Sequence, residues 1–229
     1  MKQDSGWYNK NTENMYNQDR TYNKTHRFFE RMLNNDTDKL ARFLKNEYKK
    51  IERVELKGIK PINEQEDIWL DSGSISTVKW KEYNVFQFYS DEIYDLLLNI
   101  KDATIEACEY YGIDFYKEKY HVQGWFNINQ KDSGKLDWHD HGGPWAPWFH
   151  GYYCVNAEPS VTYYKIDNDD NQIIENININ NRLIVSEMGH PHAQGDWNWD
   201  GDRITIAYDI VPMRFIRPFN QPQHWVPLT

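Results

Sequence analysis

Residues 136–155 read L-D-W-H-D-H-G-G-P-W-A-P-W-F-H-G-Y-Y-C-V, a histidine pair and a run of Gly, Pro and Trp that gives way to a β-type segment. A second stretch, residues 189–207, reads G-H-P-H-A-Q-G-D-W-N-W-D-G-D-R-I-T-I-A and repeats the plan: two histidines, turn residues, then an arginine opening a strand-like run. Six of the eight histidines fall between positions 139 and 224. Imidazoles gathered on Gly- and Pro-bounded loops between β runs are what a mononuclear metal site requires. In extended chain, residues i and i+2 point the same way, so His139 and His141 can converge on one ion while Asp140 points elsewhere. His190 and His192 offer a remote third ligand.

Outward from these stretches the pattern is β. Short runs at about 119–129, 151–156, 160–166, 172–179, 182–187 and 203–211 are separated by turns, and the D-N-D-D-N at 167–171 reads as a hairpin tip. Residues 74–89 are β-branched and aromatic and predict one or two further strands. Two helices precede the β half. Leu40, Phe43, Leu44 and Ile51 share one helical face. Ser90, Asp91 and Glu92 cap a second helix with an apolar stripe through Ile93, Leu96, Leu97, Ile100, Ala107, Cys108 and Tyr111, and Gly112 closes it. Helices followed by many short strands predict an α+β chain: a double-stranded β-helix, or jelly roll, with the N-terminal helices packed on one sheet. Residues 1–24 read as a polar arm and 25–229 as a single domain. Its helical part runs to about 112, its jelly-roll core spans about 75–212, and a Pro-punctuated tail follows from 213 to 229, laid on the surface.

Composition limits the function. The formal charge of −9, with no basic stripe, argues against nucleic acid as a partner. No apolar leader or 18-residue apolar run is present, so a soluble, cytoplasmic protein with no membrane partner is expected. Cys108 and Cys154 are too isolated to suggest a disulfide framework or a thiolate metal site, and read as buried thiols. With 10 Trp and 16 Tyr in 229 residues, the core should be rich in aromatic rings.

The order Trp125-Phe126-Asn127-Ile128-Asn129, His139-x-His141, Gly151-Tyr152-Tyr153, a distal His, then Arg203-x-Thr205-x-Ala207 resembles the 2-oxoglutarate and Fe(II)-dependent oxygenases over about residues 75–212. It is most similar to the branch common in phage and marine bacterial genomes, relatives of the prolyl hydroxylases. The resemblance implies Fe(II), the small-molecule co-substrate 2-oxoglutarate, and dioxygen. It makes His139 the first iron ligand and His192, by its interval to Arg203, the distal one. Arg203 would then hold the far carboxylate of 2-oxoglutarate, with Thr205 beside it, Tyr153 in contact with the co-substrate, and Asn127 or Asn129 assisting. A peptide or protein side chain is the substrate that kinship with prolyl hydroxylases suggests.

Position 141 departs from the family, whose motif is His-x-Asp. Three readings stay open: His141 is itself a ligand, Asp140 turns inward in its place, or the site has lost iron. A carboxylate ligand would cancel one charge of Fe(II), whereas three imidazoles leave both. Two rival functions also stand: a non-enzymatic phage structural or carbohydrate-binding jelly roll with a structural ion, and a cupin-like three-His enzyme that does not use 2-oxoglutarate. A lone histidine is most often a packed or surface group, and His150 is read that way. Residues 142–147 read as the rim of the site, and Trp138, Trp145, Trp148, Trp197 and Trp199 as aromatic walls or plain packing.

Overall fold

The computed structural model describes residues 27–55, 74–79, 83–131, 136–141, 149–165, 172–187, 190–216 and 224–229. The expectations for the 1–24 arm, the 142–147 rim with Trp145 and Trp148, and the 167–171 hairpin tip lie outside them. Among the described residues, no helix is long and apolar enough to cross a membrane.

The chain runs β1 (Phe28–Met32), α1 (Thr37–Glu55), β2 (Ile75–Ser76), α2 (Asp91–Tyr111), α3 (Phe115–Glu118), β3 (Tyr120–Asn129), β4 (Phe149–Asn156), β5 (Val161–Lys165), β6 (Ile173–Ile177), β7 (Arg182–Glu187), β8 (His192–Gln194), β9 (Arg203–Pro212) and β10 (Val226–Pro227). The larger antiparallel sheet has the order β1-β7-β4-β9-β3-β10, with β2 also on β3. The smaller has the order β6-β5-β8. Of the strands from β3 to β9, β3, β4, β7 and β9 lie in the larger sheet and β5, β6 and β8 in the smaller, so the chain crosses repeatedly between the two. An isolated bridge between His139 and His192 adds the 139 segment to the free side of β8.

Each long strand of the large sheet sorts its residues by parity. Phe126, Ile128, Tyr153, Val155, Leu183, Val185, Ile204, Ile206, Tyr208 and Ile210 face one way and share a core cluster with Leu40 and Leu44 of α1 and with Ile93, Leu96 and Ile100 of α2. Trp125, Tyr152, Cys154, Ile184 and Ala207 face the other way and meet Tyr164 of β5. The helices thus cover one face, and the small sheet covers the other. The helix ends follow sequence chemistry: the Ser90 hydroxyl accepts from Ile93 N, and Gly112 takes a left-handed φ of 73° that an L-side chain resists. Asp36 accepts from Lys39 N at the start of α1. Cys108 and Cys154 are buried free thiols.

Four expectations are corrected. β1 had not been anticipated; Phe28 and Phe29 pack on opposite faces, so the strand shows no alternation of apolar and polar residues. Residues 74–89 form only the two-residue β2, followed among the described residues by 3-10 turns at Thr77–Lys79 and Val85–Gln87. The Asn84 carboxamide does there what a strand would have done, donating to Val122 O and His224 O and accepting from Gly124 N. The tail is not merely laid on the surface, since β10 pairs with β3 and Leu228 enters the core. The loop before the last strand contains β8, paired with β5.

Candidate metal centre

The strand parity that builds the core also builds the site. On β9 the inward residues are Arg203, Thr205, Ala207 and Asp209, and on β4 they are His150, Tyr152 and Cys154. From the small sheet His192, Gln194, Thr162 and Tyr164 approach. Reciprocal backbone bonds, His139 N to His192 O at 3.0 Å and His192 N to His139 O at 2.8 Å, hold the two histidine segments together.

His139, His141 and His192 each bring a ring nitrogen within 4.8 Å of the other two. Their rings are held from behind. His139 Nδ1 lies 2.8 Å from Asp137 O, His192 Nδ1 3.3 Å from His190 O, and His141 Nδ1 2.7 Å from Asp209 Oδ1. When Nδ1 is the anchored nitrogen, Nε2 is the one that ligates a metal, and the anchor fixes both tautomer and ring angle. The His141 ring is further fixed by near-parallel contacts with Trp125 and His192, at centroid distances of 5.8 and 5.1 Å. Asp140 is exposed and belongs to neither group of residues able to hold an ion.

Two residues of the cluster escaped the sequence reading. His150 is buried, with ring centroids 4.0 Å from His141 and 4.5 Å from His192. Asp209 lies across the strand pair from it, and its Oδ1 is also 3.2 Å from His150 Nδ1. The signal was present in R-I-T-I-A-Y-D-I-V-P: an acid inside an apolar strand, at the same parity as Arg203.

Electrostatics sorts the imidazoles. Burial pushes His139 and His192 below the usual histidine range, His192 well below, with neighbouring imidazoles adding to it. Burial and the charge of His141 bring His150 down to about 4. For His141 burial acts downward too, but the Asp209 carboxylate outweighs it and the net direction is up. Burial would raise Asp209, yet the charge and hydrogen bond of His141, with the bond from His150, hold it at about 2. The cluster is therefore three neutral imidazoles and one imidazole–carboxylate pair, and neutral imidazole is the ligating form.

Arg203 is 4% exposed, and its guanidinium donates to Ser160 Oγ (3.1 Å), Gln194 Oε1 (3.1 Å) and Asn129 Oδ1 (3.4 Å). All three acceptors are neutral, and among the described residues no carboxylate lies within ion-pair distance of it. A buried cation without a counter-ion is costly to keep, and the arrangement suits an anionic ligand. Thr205 is buried on the same face. Asn127 shares that face but accepts from Ser76 Oγ at 2.6 Å, so Asn129 is the asparagine that touches Arg203.

Tyr153 is placed away from the histidines. Odd-numbered residues of β4 face the helices, so Tyr153 lies in the helix-side core with its hydroxyl donating to Asn181 Oδ1 at 2.6 Å. Tyr152 is the tyrosine of the inward face, and burial drives its hydroxyl pKa far up. Trp197 is a packing residue whose indole donates to Gly201 O, while Trp138 and Trp199 are exposed and Trp138 lies under Lys165.

No protein-family model matches the chain, and no curated protein matches it in sequence. Solved structures do. A 2OG-Fe(II) oxygenase family oxidoreductase from Burkholderia pseudomallei aligns at 12% identity and TM-score 0.35 over 41% of this chain and 45% of that one. The dioxygenase for auxin oxidation 1 from Arabidopsis thaliana, bound to 2-oxoglutarate, aligns at 14% and 0.37 over 54% of each chain. The chain spans about half the length of the first solved structures it matches. A prolyl-4-hydroxylase from Pseudomonas putida is matched more fully, at TM-score 0.50 over 82% of this chain and 94% of that one. At 8% identity that last likeness is one of fold: the chain shares the antiparallel-sheet fold of that structure.

Proposed function

We propose that the protein is an Fe(II)- and 2-oxoglutarate-dependent oxygenase on a jelly-roll, or double-stranded β-helix, scaffold, hydroxylating a peptide or protein side chain. The observation that carries this reading is the pairing of three back-anchored imidazoles, His139, His141 and His192, with a buried Arg203 that meets no carboxylate at ion-pair distance among the described residues. A binding module with a structural ion has no use for that arginine. The residues fit the cofactor: three imidazole nitrogen donors on one side leave coordination positions for a co-substrate and dioxygen.

In this reading Arg203 offers a planar fork to the far carboxylate of 2-oxoglutarate, and Thr205 adds a hydroxyl from the same strand face. Tyr152, rather than Tyr153, lines the co-substrate space. Burial of these groups excludes water and strengthens each charge-assisted contact. The bound iron, with 2-oxoglutarate and dioxygen, supplies the oxidising power to hydroxylate a C–H bond. The repeated crossing of the chain between the two sheets, and the entry of His139 and His192 on neighbouring small-sheet segments, support the jelly-roll description. The peptide substrate draws its support from likeness of fold to the prolyl-4-hydroxylase.

The test is anaerobic titration followed by turnover. Fe(II) and 2-oxoglutarate together should give a visible charge-transfer band that His192→Ala abolishes, and air should then release succinate. A protein that binds iron yet never yields succinate would instead support a three-His enzyme of another kind.

A further inference from the structure

Asp209 has no place in the ligand set just described, yet it sits at the back of it. One oxygen, Oδ1, contacts Nδ1 of both His141 and His150, at 2.7 and 3.2 Å. The carboxylate is largely buried, in a strand whose other residues of the same parity are Arg203, Thr205, Ala207 and Val211. A buried carboxylate must be paired or hydrogen-bonded. This one holds two imidazoles by the same nitrogen, and the shorter contact is of hydrogen-bond length, with no gap for an ion between the atoms.

We propose that Asp209 is the positioning carboxylate of the metal centre, standing one imidazole behind the metal where a direct carboxylate ligand is missing from position 141. By accepting Nδ1–H from His141 it sets the tautomer that turns Nε2 to the metal, makes that nitrogen a stronger donor, and returns a negative charge to a site whose three ligands are neutral. By holding His150 in the same way it fixes the ring that packs against both His141 and His192. The inference rests on the reading of His139, His141 and His192 as metal ligands.

The experiment is metal binding, measured with Co(II) by visible titration and with Fe(II) anaerobically, without reference to turnover. Asp209→Asn, checked by circular dichroism, should bind about 10 to 100 times more weakly than the wild type, with an altered Co(II) ligand-field spectrum, and Asp209→Glu should recover part of the loss. Equal affinity and an unchanged spectrum in Asp209→Asn overturn the proposal while leaving the ligand assignment standing. Wild-type protein that takes up no metal, or whose uptake survives His139→Ala and His192→Ala, overturns the ligand assignment and the proposal together. Should Asp209→Asn not fold, the wild type still answers. In the Zn(II)-loaded, diamagnetic protein, imidazole nitrogen NMR should find Nδ1 of His141 protonated, its proton far downfield; a metal on Nδ1 with Nε2 protonated refutes the proposal.

Discussion

Arg203 donates through Nη1 to Gln194 Oε1 at 3.1 Å, and so joins the base of β9 to the short strand that begins with His192. The guanidinium is thereby aimed into the space between the sheets with part of its donor set engaged. Arg203→Gln should weaken 2-oxoglutarate binding by roughly 10- to 100-fold, the worth of a buried charge-assisted contact, while metal affinity stays near wild type. Arg203→Lys should fall between, because it keeps the charge and loses the fork. Titration of the charge-transfer band measures both.

The two adjacent tyrosines of β4 should separate cleanly. Tyr152→Phe is expected to alter co-substrate affinity with little change in stability. Tyr153→Phe removes the bond to Asn181 on the opposite face and should cost about 1 kcal/mol of stability with co-substrate binding intact. Denaturant melts read against binding curves distinguish them, and the reverse pattern would put the co-substrate on the wrong side of the sheet.

Acid should destabilise the metal-free protein in a defined window. His150, brought down to about 4, binds fewer protons when folded than when unfolded, as do His139 and His192. Their contribution is present above the ordinary histidine value near 6.5 and is lost as the pH falls toward about 4. His141 has the opposite sign: raised by Asp209, it contributes below that value and loses its contribution as the pH rises through its folded pKa. Three groups against one make the acid loss dominate. Asp209, held at about 2, adds a further loss only below its unfolded value of 3.8. Thermal midpoints in chelator should decline from about pH 6.5 to 4, and more gently in His150→Gln.

Gly151 leaves no room for a side chain. A Cβ there would stand 2.1 Å from Ile184 O and 2.4 Å from the Tyr208 ring, and the first of these is backbone of the neighbouring strand. Gly151→Ala should therefore destabilise the fold by at least the roughly 1–3 kcal/mol of ordinary overpacking, as chemical denaturation would show. Full stability would mean that β4 and β7 lie further apart than described.

What could be read in the sequence was what local chemistry determines. The Ser90 cap and the Gly112 stop bound α2 where expected, and most core strands fall within a residue or two of the predicted runs. His139, His141 and His192 do meet in space. Long-range information was harder to read. β1 exists because β7 offers it an edge, and the 83–88 segment is irregular because Asn84 binds β3 and the His224 carbonyl, residues remote from it in sequence. The facing of the two tyrosines depends on parity: in G-Y-Y-C nothing local says which ring points toward the histidines until His150 is known to. His150 and Asp209 were passed over because each lies inside a strand that reads as core, and only their cross-strand pairing turns two isolated polar residues into a cluster.

The paired backbone bonds between His139 and His192 tie together two segments from distant parts of the chain. Each candidate ligand is carried on main chain whose position the other segment helps to set. A change that displaces one of the two segments is therefore felt at both imidazoles.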